Sequence, residues 1–217
     1  VVCPFVIGVT VGTIAGYRGG VVDRVVVALV NVVFAFPVFI LLIALVFALG
    51  PGVLTIVIAV TAVSWVAYAR LARDLARRER NKEYVLAARV SGIPTHRILS
   101  RHILPNVISQ PVIYAMADVV AVILFITALG YLGLGVPPPA PDWGTMISDA
   151  QPYLGSQWWL AVVPGVTICV AGLGLSLIAG QVICAELIEL RGSSAHVGIV
   201  GVAAGALTVV GVLVALL

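Results

Sequence analysis

The sequence predicts an all-α, polytopic membrane helix bundle, and three observations carry that prediction. Of the 217 residues, 62% are hydrophobic and only 10% are charged, where an ordinary soluble domain has about 25% charged residues. The apolar residues, which give a mean hydropathy of +1.19, gather into runs long enough to cross a bilayer. About 20 residues suffice for that, at ~1.5 Å of rise each. The charge is gathered as well. Nine of the twelve Lys and Arg lie between Arg70 and Arg101, beside the three acids Asp74, Glu79 and Glu83. This distribution reads as a positive-inside, cytoplasmic loop over residues 70–105. It gives no reason to read the net charge of +3 as a nucleic-acid-binding surface.

Residues 1–16 read as part of one span. Gly8, Gly12 and Gly16 stand four apart on one helix face, where missing side chains let a neighbouring helix approach closely. Residues 17–24 form a short polar turn carrying Arg18 and Arg24. No charged residue occurs from 25 to 69, a run of 45 positions, which divides into two spans at Gly50, Pro51 and Gly52. Pro37 lies inside the first and predicts a kink. Trp65 and Tyr68 are placed to anchor the end of the second at the interface, before Arg70 and Arg73.

Residues 83–106 are the most informative stretch: E-Y-V-L-A-A-R-V-S-G-I-P-T-H-R-I-L-S-R-H-I-L-P-N. The spacing predicts two short helices. On the first, Tyr84, Ala87, Ala88 and Ser91 fall at i, i+3, i+4 and i+7 and so share a face. Gly92 frees the chain to turn, Pro94 suits the start of the second helix, and Pro105 repeats that start signal for the next apolar run. A polar helix pair between spans reads as a docking device.

From 105 to about 130 runs another span, with Asp118 near its middle. A carboxyl at that depth is costly unless paired or wet. It reads either as a pathway-lining group that attracts a substrate's ammonium or as an interhelical hydrogen-bonding group. Residues 131–157 form the long external loop, in which Pro137 to Pro139 predict a stiff extended piece. Trp158 and Trp159 mark re-entry into the membrane, and residues 160–189 form the fifth core span. After a polar link at 191–196, residues 197–217 carry no charge and are long enough for an additional C-terminal helix. They read as an extra span or as sequence foreign to the core. Cys3, Cys169 and Cys184 lack metal-ligand spacing and read as small buried hydrophobes without disulfides. No catalytic Ser/His/Asp constellation and no G-x-x-x-x-G-K-[ST] phosphate loop occurs, so any ATP-driven motor must belong to another subunit.

The string at 83–106 resembles the EAA loop of ABC importer permeases, E-A-A-x3-G-x9-I-x-L-P. Ala87, Ala88, Gly92, Leu104 and Pro105 match in spacing, while Leu86 replaces the motif's Glu and His102 its Ile. The fuller E-Y-V-x-A-A-R…R-H-I-L-P-N is similar to the dipeptide/oligopeptide branch, the DppC/OppC-like subunits in particular. So are W-x-x-Y-A-R-L-x-R at 65–73 and Y-L-G-L-G-V-P-P-P-A-P-D-W-G-T-M-I at 131–147. The resemblance covers about residues 8–190 and implies a type I importer permease domain over 1–190, N-terminally incomplete because the family has a further span upstream.

What the resemblance implies about function is specific. Residues 80–105 would dock a cytoplasmic ATPase through Glu83, Tyr84, Ala87, Ala88, Arg89, Gly92, Leu104 and Pro105, with Asp118 as the candidate pathway residue. The partners would be a second homologous permease, two ATPase subunits that hold ATP and Mg, an external substrate-binding protein, a peptide substrate and membrane lipid. The chain itself would bind no cofactor or metal and would sit in a bacterial inner membrane. Nickel, glutathione and other small-solute importers share these motifs. Two rivals of other classes are an ion-coupled secondary transporter using Asp118 and an anchoring subunit without transport.

Overall fold

The computed structural model describes residues 1–137 and 139–190, with residues 179–190 described through their backbone alone. Among them every regular element is helical. The chain divides into two compact units. One comprises Val1–Leu45 and Val57–Ala115, the other Val46–Ile56 and the described part of Met116–Leu217.

The first unit is organised on α4 (Val53–Glu79). Helix α1 (Val2–Arg18) lies on it through the glycine stripe. A Cβ added at Gly8, Gly12 or Gly16 would stand 2.5, 2.2 and 2.3 Å from the carbonyl oxygens of Trp65, Ala69 and Arg73. Two rows of four-residue spacing therefore mesh backbone to backbone, as the sequence predicts. Tyr68 is fully buried between Phe5 and Tyr114, both edge-on at ring distances of 5.6 and 5.3 Å.

The polar turn expected at 17–24 is shorter than its composition suggests. Helix α1 runs through Arg18, the chain reverses on Gly19 and Gly20 (φ 67° and 63°), and Gly20 already opens α2 (Gly20–Phe34). Two consecutive left-handed glycines make so tight a reversal affordable. The inner side of α2 puts Val26 and Val30 against Ala15, Val66 and Ala69. Its first turn carries Asp23, which forms a two-pronged ion pair with Arg73 of α4.

Pro37 does more than kink its span. Helices α2 and α3 (Val38–Leu49) meet at 88°. Pro37 has no N–H for the Val33 carbonyl, and its ring pushes Phe36 out of the helical region, so the ladder stops there. The expected hairpin stands at Gly50 to Gly52, where both glycines have positive φ.

In the second unit, α8 (Ser109–Tyr131, from Met116 onward), α9 (Trp143–Asp149) and α10 (Trp159–Leu190) pack together. Helix α8 closes at left-handed Gly133, with the Leu134 N–H donating to the Leu129 carbonyl at 2.9 Å, the Schellman closure. Asp142 caps α9 by accepting from the Thr145 N–H. A Cβ on Gly144 would stand 2.1 Å from the Thr127 carbonyl, and one on Gly130 would meet the Asp142 carboxylate. The G-L-G…D-W-G string is thus a packing code that seats α9 on the end of α8. Residues 136 and 137 lack regular structure, Pro139 lies in a turn, and Pro138 lies outside the described residues.

Of the five expected core spans, α4, α8 and α10 (Trp159–Ile178) are long and apolar enough to cross a membrane. The bent α2–α3 pair makes a fourth if it is one span, and α1 is a shorter apolar helix. The polar link and the additional C-terminal helix expected at 191–217 lie outside the described residues. One expectation is corrected: Cys3 and Cys169 are exposed on their helices, not buried. On an apolar membrane helix a small thiol facing outward costs nothing, so hydrophobicity alone does not force it inside.

Candidate functional site

The 83–106 stretch folds back onto the first unit, and the cause is legible residue by residue. Glu83 opens α5 (Glu83–Val90), where a carboxylate complements the helix N-terminus. The helix ends at Gly92 (φ 75°), with the Ile93 N–H donating to Ala88 and the Gly92 N–H to Arg89. Only glycine takes that conformation without strain. Pro94 then caps α6 (Thr95–Ile98). The second helix is not uniform: residues Leu99–Ile103 widen into a π-helix before α7 (Leu104–Val107). Pro105 cannot donate to the Arg101 carbonyl, and the Leu104 N–H reaches back five residues to Leu99 instead.

Val85, Ala88, Ile98, Ile103 and Val107 form one buried cluster with Val9, Tyr17, Tyr68, Ala72 and Ala76. Val85, Ile98 and Ile103 are at most 1% exposed, and each contributes about 1.5–3 kcal/mol by its burial. The helix pair is therefore clamped to the ends of α1 and α4 by an apolar inner face.

A polar clasp completes the attachment. Glu79, only 9% exposed at the end of α4, accepts from Lys82 at 2.8 Å and from the Tyr84 hydroxyl at 3.3 Å. Asn106 donates to the Tyr84 hydroxyl at 3.1 Å and to the His102 carbonyl at 2.6 Å. Tyr84 thus ties the start of α5 to α7. Its phenol is held above the usual tyrosine range, first by burial and then by the Glu79 carboxylate. Lys82 is held above the usual lysine range, first by its hydrogen bond to Glu79. On the other side, Arg89 stacks on Tyr17 with its guanidinium carbon 4.6 Å from the ring centre, and its Nε donates to the hydroxyl at 3.1 Å.

The expected docking residues therefore separate. Ala87, Ser91, Gly92 and Pro105 are exposed, Leu104 is half-buried, and Ala88 is buried. Of the four residues expected on one face, Tyr84, Ala87 and Ser91 are exposed and only Ala88 is buried. The inner side of so short a helix is set by Val85 and Ala88 at i, i+3, which turns Ala87 and Ser91 outward. Beside them stand Leu86, 46% exposed, and Val90, 90% exposed. Glu83 stays at the surface, while Tyr84 and Arg89 are engaged within the chain. Asp118 is half-buried on the part of α8 that belongs to the second unit. Sequence reasoning missed Glu79, Tyr17 and Asn106, which meet their partners only in the folded chain.

Comparison with known proteins bears on this arrangement. The profile of the family described as the inner membrane component of binding-protein-dependent transport systems matches residues 8–185. A Pseudomonas aeruginosa di/tripeptide transport system permease protein, DppC, is 37% identical over 82% of this chain and 58% of its own length. The Bacillus subtilis oligopeptide transport system permease protein OppC is 36% identical over the same shares. A dipeptide permease protein DppC from Alkalihalophilus pseudofirmus is 36% identical over 80% of this chain and 57% of its own. The chain spans less than two thirds of the length of these relatives.

Proposed function

The chain belongs to the family of inner membrane components of binding-protein-dependent transport systems, and from that premise we propose that it is a permease subunit of an ATP-driven importer for di- or oligopeptides. In this reading it forms half of a translocation pathway with a second, homologous permease. A substrate-binding protein delivers peptide at the 131–157 loop, and two ATPase subunits dock on the opposite side of a bacterial inner membrane. The observation that carries it is the 83–106 helix pair, clamped to α1 and α4 on one side and bare on the other.

The mechanism follows from that asymmetry. A loop that transmits force must move with its partner without unfolding. Here the outer face, with Ala87, Val90 and Gly92, is left for the partner. The inner face ties that surface to the spans through Val85, Ile98 and the Glu79–Tyr84–Asn106 clasp. Displacement of α5 is thus delivered to the ends of α1, α4 and α8. Closure of the ATPases on ATP and Mg, held outside this chain, would rock the spans between inward-facing and outward-facing states. Asp118 takes the role of a pathway carboxylate in this scheme.

Leu86, where the EAA pattern has Glu, makes the outer face apolar. The partner groove opposite it is therefore expected to be apolar at that point, because a buried unpaired polar group there would cost binding. The reading is tested by uptake of labelled di- and tripeptides into proteoliposomes holding the full complex. ATP-dependent uptake that also requires the binding protein supports it. Uptake that follows a proton gradient and ignores ATP depletion overturns it in favour of a secondary transporter.

A further inference from the structure

Beside the loop, at the end of α1, lies an open cleft of about 460 Å³ lined by Tyr17, Arg18, Arg89, Ile93, Thr95 and Ile98. We propose that this cleft binds the phosphate headgroup of an anionic membrane lipid. The inference does not depend on which solute the protein carries or on an ATPase docking nearby.

The chemistry of the lining selects an anion. Both charged residues are arginines, and no carboxylate lines the cleft. Among the described residues neither Arg18 nor Arg89 forms an ion pair. Arg89 is pre-set for the task. Its stack on Tyr17 fixes the guanidinium plane, and its Nε is spent on the Tyr17 hydroxyl. Both terminal nitrogens remain as a fork of the kind that matches phosphate oxygens. The Thr95 hydroxyl adds a neutral donor. Helix α1 presents its C-terminal end here, whose partial negative charge of about half a unit opposes an anion. That end is already answered: Arg80 donates to the Gly16 carbonyl at 3.2 Å, and the Gly19 N–H closes on Ala15. Two full positive charges outweigh what is left.

The apolar surface leading to the cleft selects a lipid over a free phosphate. Cys3, Ile7, Ile14 and Arg18 are exposed and follow one another at i, i+4, i+11 and i+15 on a single side of α1. Thr10, on the same side, spends its hydroxyl on the carbonyls of Val6 and Ile7, so it presents nothing unsatisfied to hydrocarbon. An acyl chain laid along this stripe would bring its headgroup to Arg18, at the end of the helix beside the basic loop. Basic pockets on that side of a membrane are where anionic headgroups bind.

The test uses the full chain purified in detergent and titrated with short-chain phosphatidylglycerol, short-chain phosphatidylcholine, glycerol phosphate and inorganic phosphate. Binding is read by native mass spectrometry. Saturable binding of a single phosphatidylglycerol, with phosphatidylcholine much weaker, is expected. Arg18→Gln and Arg89→Gln should each weaken it about fivefold, the usual effect of one cation at an anionic surface. The exposed Arg97→Gln, outside the cleft, should leave it unchanged. If Arg89→Gln fails to fold because its stack on Tyr17 is lost, Arg18→Gln alone carries the test. Glycerol phosphate binding as tightly as the lipid would overturn the lipid assignment, and equal loss in Arg97→Gln would overturn the site.

Discussion

Replacing Ile98 by Ala should loosen the 83–107 segment while leaving the spans in place. Ile98 is 1% exposed in the cluster that joins α5 and α6 to α1 and α4. The substitution removes three carbons, worth about 2.4 kcal/mol at ~0.8 kcal/mol per buried group. The residual cavity raises the loss toward about 5 kcal/mol where neighbours cannot collapse. Such loops open locally, so the loss falls on local and not global unfolding. At 2.4 kcal/mol the amides of α5 and α6 should exchange with deuterium about 60-fold faster. The assay is hydrogen exchange read by mass spectrometry on peptides from 83–107, α8 and α10. Val90→Ala is the control, since a residue 90% exposed gives up almost no burial within the chain. Unchanged exchange in Ile98→Ala, or equal acceleration in α10, would refute the clamp.

Tyr84→Phe removes the hydroxyl shared by Glu79 and Asn106 and should cost about 1–2 kcal/mol of loop protection, as for a hydrogen bond to a charged group. Because the Tyr84 phenol is held above its usual range, its contribution is whole below pH ~10 and is lost as pH rises through the higher folded value. Hydrogen exchange against pH should reveal that alkaline step in the wild type and not in Tyr84→Phe. Gly92→Ala and Gly92→Trp should cost the same ~1–2 kcal/mol of left-handed strain, since a Cβ there meets nothing within 4 Å. Any additional loss of transport in Gly92→Trp then reports a partner's surface, and equal transport in the two argues against docking at that point. Gly12→Ala should lower thermal stability by about 1–3 kcal/mol through overpacking, because its Cβ would stand 2.2 Å from backbone and not from a side chain that could turn away.

How far the sequence carried the reading depends on the kind of signal. Glycine at fixed spacing was legible, because a missing side chain has one structural use on an apolar helix. Gly8, Gly12 and Gly16 mesh with α4, and the turns at Gly50, Gly52 and Gly92 stand where expected. Proline was legible in position but not in degree. Pro37 gives an 88° break, and Pro105 follows a π-helix, because how a lost hydrogen bond is absorbed depends on what packs around it. The two-sided character of α5 was the hardest to read. Eight residues hold too few turns for periodicity to say which side faces in, so the spacing does not set Ala88 apart from Tyr84 and Ala87. The clasp could not be foreseen at all, since Glu79, Tyr84 and Asn106 meet only once α4, α5 and α7 are brought together. Arg89 likewise reads as a surface cation until Tyr17, 72 positions earlier, is seen beneath it.

The central claim is that the outer face of α5 is the surface an ATPase subunit grips. A cysteine at Val90, the most exposed apolar residue of that helix, tests it directly on a background without Cys3, Cys169 and Cys184. Cross-linking in native membranes should give a specific adduct with the ATPase subunit whose yield changes with bound nucleotide. Correct membrane insertion with no adduct in any nucleotide state would contradict it.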